Sequence, residues 1–445
     1  MTGKRTAAFL TLGCKVNQYE TDAMAELLEK AGYAITDFKE KADVYVINTC
    51  SVTNMADRKS RQLIKRAKKM NPDAVIAAAG CYVQAAEEEL IKQGTADILI
   101  GNNKKKEIAD ILDRYFEEKH NISEIVDIAA EKEYESMEIH KVSEHTRAYV
   151  KIQDGCNQFC SYCIIPYARG RIRSKVPKEV LREIQGLADA GYKEVVLTGI
   201  HLSSYGKDLG DTNLLDIIRQ VQKIDGICRI RLGSLEPRII TEEFVRELVK
   251  CDKVCPHFHL SLQSGCDATL KRMNRHYTTE EYRQALDILR RYYEHPALTT
   301  DVIAGFVGES EEEFEKTREF LEEINLYEMH IFKYSVRQGT RAADMPGHLP
   351  EEVKTRRSAV LLEMARAHKK QFESWYLGRT EEILLEEEVE IDGIKYMQGY
   401  TKRYVKVAVK IDDFSKKMRQ NDIVVVQIRG FLDENLLCGK VMIEF

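Results

Sequence analysis

Nowhere does this 445-residue chain carry an apolar run near the roughly 20 residues that a bilayer crossing needs, and its opening residues, MTGKRTAAFL, hold no signal-type apolar core. These absences set a cytoplasmic protein without membrane partners as the expectation. An excess of positive charge is lacking too, since 67 Lys and Arg face 72 Asp and Glu for a net charge of -5. That balance argues against indiscriminate binding of polyanions and requires any nucleic-acid partner to meet a local basic patch. The most informative absence is a fourth cysteine. Cys156, Cys160 and Cys163 stand with three and then two residues between them, and no further cysteine follows until Cys228. A structural zinc wants four protein ligands, whereas an iron-sulfur cluster held by three thiolates keeps one iron open to an external ligand. The blander alternatives are a zinc completed by a distant histidine, or reduced core thiols.

Hydrophobic residues at 44% and charged residues at 31% describe a soluble globular protein. At roughly 150 residues per domain the length allows about three domains. Eleven cysteines are many for a reducing compartment, where thiols serve metals or catalysis more often than disulfides. Three of them end short apolar runs, AAFLTLGC at Cys14, DVYVINTC at Cys50 and AVIAAAGC at Cys81, with helical patterns between. The alternation predicts a parallel α/β sheet, in which ligands gather beyond the carboxyl ends of the strands. Each cysteine alone reads as a small buried hydrophobe. Together, at one sheet edge, they read as a second three-thiolate cluster site. Residues 117–145 are polar and aperiodic and are expected to be a linker, with no role for His120, His140 or His145.

After the central cysteine motif, apolar runs recur at RAYVKIQD, KEVVLTGI, CRIRLGS, HFHLSLQS, TTDVIAGF and MHIFKYSV, separated by helical segments. Thr278 with Glu281 and Ser310 with Glu313 fit capping boxes, and Pro177 suits a first helical turn. Six such units predict an open partial (β/α)6 barrel whose site lies at the strands' carboxyl ends, near Asp154, Thr198, Ser234, Gln263, Ser264, Glu309 and Tyr334. Cys228, Cys251, Cys255 and Cys266 lack a zinc-like spacing and are assigned to structure. From about residue 375 the pattern turns to β, as expected of a small OB-like barrel. Residues 381–392 hold seven acids and no base, whereas 395–419 hold eight Lys or Arg against Asp412 and Asp413. Tyr396, Tyr400 and Tyr404 alternate with these bases, a composition suited to stacking and phosphate contact with looped RNA. The bland alternative is a solvated sheet face.

In DGCNQFCSYCIIPYARGRIRS, LGCKVNQYET, INTCSVTN and AAGCYVQ the chain resembles the methylthiotransferases, radical S-adenosylmethionine (SAM) enzymes that insert a methylthio group at an unactivated carbon. GCKVN, LTGIHLSSYG, LGSLEPR and SLQSGCDATLKRMNRHY are most similar to the MtaB branch, which acts on N6-threonylcarbamoyladenosine beside the tRNA anticodon. Other branches act on isopentenyladenosine or on an aspartate of a ribosomal protein. Two departures are GFVGES, with Val307 where the family pattern has proline, and Lys175 where an arginine often closes the RSR run.

The resemblance implies an N-terminal cluster domain over 1–116, a linker over 117–145, a radical SAM core over 146–374 and an RNA-gripping TRAM module over 375–445. It implies two 4Fe-4S clusters. One, on Cys156, Cys160 and Cys163, would cleave SAM; the other, on Cys14, Cys50 and Cys81, would carry the sulfur. Thr198, Gly199, Ser234, Gln263 and Asp301 are the candidates for holding SAM. Lys402, Arg403 and Lys406 with Tyr396, Tyr400 and Tyr404 are the candidates for gripping the tRNA anticodon arm. Arg169 and Arg171 are assigned either to tRNA phosphates or to the N-terminal domain. An electron donor such as flavodoxin or ferredoxin and a sulfur source are further implied partners. The rival of another class is an RNA-binding protein whose clusters are structural or relay electrons, although electron carriers usually close each cluster with four cysteines.

Overall fold

Val44–Thr49 and Val75–Gly80 are buried at every residue, a burden that only a strand covered on both faces carries. The computed structural model, which describes residues 4–141, 146–411 and 418–442, sets them as β3 and β4 at the centre of a parallel sheet. Its other strands are β1 (Thr6–Thr11), β2 (Ala34–Thr36), β5 (Ile98–Ile100) and β6 (Ile122–Glu124), in the order β2-β1-β3-β4-β5-β6. Alternation sorts the side chains between two cores. Val44 and Val46 face Met24, Leu28 and Ile111 from the helices Lys15–Lys30 and Ile108–Glu118, while Tyr45 and Ile47 face Ile64 and Ala67 from the helix Asn54–Met70.

The six central runs all form strands. They are β7 (Arg147–Asp154), β9 (Glu194–Gly199), β10 (Arg229–Leu232), β11 (His257–His259), β12 (Ala297–Ala304) and β13 (Glu328–Lys333), with a short antiparallel β8 (Arg173–Ser174) beside β7. Parallel pairing runs β10-β9-β7 and β11-β12-β13, and single bridges at Ile230–Val254 and Leu235–Leu260 join the halves into one open barrel wall. Both expected capping boxes are present, and Pro177 opens the helix Pro177–Asp189. After the helix Glu351–Ser374, the strands β14 (Thr380–Ile391), β15 (Ile394–Thr401), β16 (Lys406–Lys410), β17 (Ile423–Asp433) and β18 (Leu436–Val441) close a small barrel.

One sequence expectation is corrected. The stretch 117–145 is no free linker, because within it β6 completes the N-terminal sheet and Ile128, Met137 and Ile139 are buried. Its backbone also satisfies side chains of both neighbours, with Met137 O accepting from Lys175 Nζ at 2.7 Å, Ile139 N donating to Glu183 at 2.9 Å and His140 N donating to Glu26 of the first domain at 2.6 Å. Residues 142–145, including His145, lie outside the described residues, as do Asp412 and Asp413 of the charge count. Residues 394–410 form two strands, β15 and β16, because the chain reverses at Thr401–Val405 with Tyr404 at φ +68°. The two family departures are buried without conflict: Val307 packs beside Phe306 and Tyr334, and Lys175 pairs with Glu183 at 2.7 Å.

Candidate functional site

Cys50 and Cys81 directly follow β3 and β4, and Cys14 follows β1 after Leu12 and Gly13; the three strands are neighbours in register, so the three thiols converge on one sheet edge. Glycine makes the convergence possible. A Cβ on Gly13 would lie 2.7 Å from the Cβ of Cys50 and 2.8 Å from its sulfur, and Gly13 takes φ +106°. Gly80, before Cys81, takes φ +99° with Thr49 O where a Cβ would stand. Asn17 pins the other loops, its Nδ2 donating to Leu12 O at 2.7 Å and to Thr49 O at 2.9 Å. Cys14 is accessible although surrounded by protein on a wider radius, as expected of a side chain lining an internal cleft.

The second trio sits on the loop leaving β7. Gly155 (φ +69°) lets that loop touch the backbone beyond it, since a Cβ there would meet Arg171 O at 1.8 Å. The segment 272–274 holds the loop from below: Ser161 Oγ donates to Arg272 O at 2.8 Å, Ser161 N donates to Met273 O, and Asn274 Nδ2 donates to Phe159 O at 3.0 Å. Arg275 Nη1 donates to Cys160 Sγ at 3.3 Å. Sequence reading missed Arg275, though RMNRHY lay within a quoted motif.

Among the described residues, the only Cys, His, Asp or Glu set whose ligand atoms lie within 4.8 Å of one another is His259, Asp301 and His330. Both cysteine trios are therefore wider than a mononuclear site. A tetrahedral zinc with Zn–S near 2.3 Å would hold its sulfurs about 3.8 Å apart. Burial pushes the Cys50 and Cys163 thiols up to about 12 and Cys156 up to about 11, so without a metal they stay protonated. Three convergent soft donors, spread too far for one ion and with no fourth protein ligand, fit a multi-iron cluster better than zinc.

One side chain joins the trios. Arg169 is 0% exposed. Its Nε donates to Cys81 Sγ at 3.2 Å, Nη1 donates to Glu20 at 2.8 Å and to Asp154 at 3.1 Å, and Nη2 donates to Asn17 at 2.7 Å. Asp154 in turn accepts from Gly155 N beside Cys156 at 2.8 Å. Lys105 and Lys151 also pair with Glu20, and Lys151 pairs with Asp154 at 2.6 Å. The surrounding cations hold the Glu20 and Asp154 carboxyls well below the usual carboxylate range despite burial. Three cations on two carboxylates leave one positive charge beside Cys81, which suits an anionic cluster.

Of the residues expected to hold SAM, Thr198, Gly199, Ser234 and Gln263 stand at the carboxyl ends of β9, β10 and β11 or just beyond them. Ser234 Oγ meets Ser261 Oγ at 2.8 Å, and Gln263 takes φ +75°. Asp301 lies lower, mid-strand in β12, with its carboxylate 3.3 Å from His259 Nε2. Near the rim, burial and nearby cations hold His201 down to about 4, and its Nε2 lies 3.3 Å from Gln158 Nε2.

The expected RNA contacts are largely redirected. Of the two alternatives for Arg169 the structure takes the N-terminal domain, to which it is an internal tether, whereas Arg171 is exposed, over the ring of Phe159. Tyr396 is buried in the small barrel. Tyr400 and Tyr404 stack on each other at 4.6 Å and receive the guanidinium of Arg147, and Tyr404 receives that of Arg231 as well. Arg229 donates to Tyr400 O and Glu382 O, Arg231 donates to Lys402 O, and Arg403 donates to Glu294 O. The β15–β16 turn thus docks the small barrel under the central one. Lys402 and Lys406 keep partly accessible side chains.

Lys15 opens the helix after Cys14, and sequence reading assigned it nothing. Burial together with Arg231 and Arg147 pushes its ammonium down to about 8.

Residues 6–101 match the family described as Uncharacterized protein family UPF0004, and residues 150–321 match the Radical SAM superfamily. A Bacillus subtilis protein named threonylcarbamoyladenosine tRNA methylthiotransferase MtaB is 44% identical over 91% of this chain and 90% of its own length. An Acetivibrio thermocellus protein named tRNA-2-methylthio-N(6)-dimethylallyladenosine synthase is 37% identical over 86% of this chain and 82% of its own. Among solved structures, the radical SAM methyltransferase TsrM from Kitasatospora setae superposes with a TM-score of 0.57 at 13% identity over 77% of each chain, a likeness of fold. With such likeness over nearly the whole of both chains, and two open cysteine trios in place, this chain belongs to the radical SAM methylthiotransferase family.

Proposed function

We propose that this chain inserts a methylthio group at C2 of N6-threonylcarbamoyladenosine next to the anticodon of tRNA. The observation that carries the chemistry is the pairing of two three-thiol sites across one buried interface, joined through Arg169 and Asp154. The substrate is taken from the relative with 44% identity, against 37% for the dimethylallyladenosine enzyme. Cys156, Cys160 and Cys163 would hold the cluster that reduces SAM, and Cys14, Cys50 and Cys81 the one that carries sulfur. Those cofactors supply a 5'-deoxyadenosyl radical and a methylated sulfur. The chain's own part is to fix both thiol sets over one barrel mouth, to keep His201 neutral beside Gln158, and to present strand-end polar groups to SAM. An anticodon-loop base is already partly unstacked, so turning it into the barrel costs little. Arg171, Lys402 and Lys406 are the accessible candidates for phosphate contact. A cytoplasmic setting, an electron donor and a sulfur source complete the reading.

Mass spectrometry of tRNA nucleosides from cells lacking and then regaining the gene tests it. The methylthio form of threonylcarbamoyladenosine should return. Return of the isopentenyl product alone would move the chain to the other tRNA branch, and return of neither would favour a protein aspartate as acceptor.

A further inference from the structure

Arg169 reaches Cys81 and Asn17, but the loop after Cys50 is gripped by a different barrel residue. Arg337, 6% exposed, lies on the segment that leaves β13. Its Nη2 donates to Ser51 Oγ at 2.6 Å, and its Nη1 donates to Asp57 at 2.6 Å and to Asn54 Oδ1 at 3.0 Å. Ser51 Oγ in turn donates to Asp57 at 3.0 Å, and Asn54 Nδ2 donates back to Val336 O at 2.9 Å. The same segment also holds the central trio. Gly339, at φ +79°, turns the chain, and Thr340 Oγ1 donates to Arg337 O at 2.7 Å. Ala342 N then donates at 2.7 Å to Ser161 O, which lies between Cys160 and Cys163. Ala342 is buried with Phe306 and Tyr334, and Tyr162 packs against that group. Residues 335–342 are therefore a strap with one grip beside each thiol set.

We propose that Arg337 is a positioning residue, which through this strap fixes the Cys50 loop relative to the Cys160–Cys163 loop and so couples SAM cleavage to methylthio insertion. This rests on the function proposed above. A substrate carbon activated beside Cys156, Cys160 and Cys163 has to meet the sulfur held by Cys14, Cys50 and Cys81, so the offset between the two loops decides how many cleavages end in product. Misplacement by about 1 Å costs roughly a hundredfold in such a step. The plain alternative is that Arg337 and Asp57 form an interface ion pair that contributes stability and nothing else.

The test uses the full-length protein, both cluster-free and reconstituted. In the cluster-free protein Arg337→Met should speed amide exchange over residues 51–60 and leave the helix Lys15–Lys30, on the Arg169 side, unchanged. The reconstituted enzyme is given an anticodon stem-loop RNA carrying threonylcarbamoyladenosine. Iron content and the rate of 5'-deoxyadenosine release should match the natural enzyme, while the 5'-deoxyadenosine released per methylthio product rises about tenfold or more. Arg337→Lys should keep part of the coupling, since an ammonium still pairs with Asp57 but does not span Ser51 and Asn54 as well. Ser51→Ala, which removes one contact and strands no charge, should shift the ratio less and in the same direction. If Arg337→Met lowers 5'-deoxyadenosine and product together at an unchanged ratio, the residue only stabilises the interface and the proposal is overturned. Unchanged exchange over residues 51–60, or loss of iron from the N-terminal site, overturns it too. A natural enzyme that releases 5'-deoxyadenosine but makes no methylthio product from this RNA sinks the functional reading and the proposal with it, whereas a productive natural enzyme with an unchanged ratio in Arg337→Met sinks the proposal alone.

Discussion

Replacing Arg169 with Met should loosen the seam between the N-terminal sheet and the barrel without unfolding either. All three guanidinium nitrogens are spent, on Cys81, Glu20, Asp154 and Asn17. Removing one partner of a buried ion pair costs about 3 to 5 kcal/mol when the other is left uncompensated. Here Glu20 keeps Lys105 and Lys151, and Asp154 keeps Lys151, so the lower end applies. About 3 kcal/mol corresponds to roughly a hundredfold in the opening equilibrium. Hydrogen exchange of the cluster-free protein reads that factor directly, because amides of the helix Lys15–Lys30 and of residues 165–169 exchange through this opening. The strands β14 to β18 provide an internal reference that should not move. Arg169→Lys should recover little, since one ammonium cannot reach four partners. In the reconstituted enzyme the potential of the N-terminal cluster should fall with loss of the hydrogen bond to Cys81. Unchanged exchange at residues 15–30, or equal acceleration in the C-terminal barrel, would refute the tether.

Changing Cys14, Cys50 and Cys81 together to Ala should reduce bound iron from about eight to about four atoms and abolish methylthio product while SAM cleavage survives, and the reverse triple should lose SAM cleavage. Gly155→Ala, which drives a Cβ into Arg171 O, should lose the iron of the central site and retain that of the N-terminal one, read by iron analysis of the purified variant. The folded chain binds fewer protons at His201 than the unfolded chain between about pH 4 and the ordinary value near 6.5, so stability from the neutral ring is complete above 6.5 and is lost as pH falls towards 4. His201→Gln should flatten that part of the pH dependence of urea unfolding by up to about 3 kcal/mol. Arg171→Ala and Lys406→Ala should each lower the slope of log tRNA affinity against log salt by about 0.7 to 0.9, and Arg403→Ala, a docking residue, should leave the slope unchanged.

Features encoded locally were legible from the residues alone. Cys14, Cys50 and Cys81 end short, mostly apolar runs, and Thr278 and Ser310 carry their capping partners three residues on, so these elements needed no tertiary context. The outer strands β2 and β6 and the neighbouring β5 span three residues each, too short for any period to show. The reversal at Thr401–Val405 was hidden because Thr, Tyr and Val favour strands wherever they fall. Arg169 was left between tRNA phosphates and the N-terminal domain, and what decides for the latter was illegible for a different reason. An arginine among other arginines becomes a tether only when Glu20, 149 positions away, is folded against it, and no spacing in the chain records that.

The seam has a consequence for how the protein is made. As the chain leaves the ribosome, the first sheet can assemble with its three thiols and with Lys105, yet Glu20 and Cys81 then still lack the two cations that arrive with residues 151 and 169. In the early sheet Glu20 is balanced by Lys105 alone, and the surplus positive charge that favours an anionic metal centre is still absent. Loading of the first site should wait for synthesis of the second, so that biogenesis is ordered by charge, and a truncated nascent chain would stay iron-free rather than carry a reactive sulfur donor without its partner.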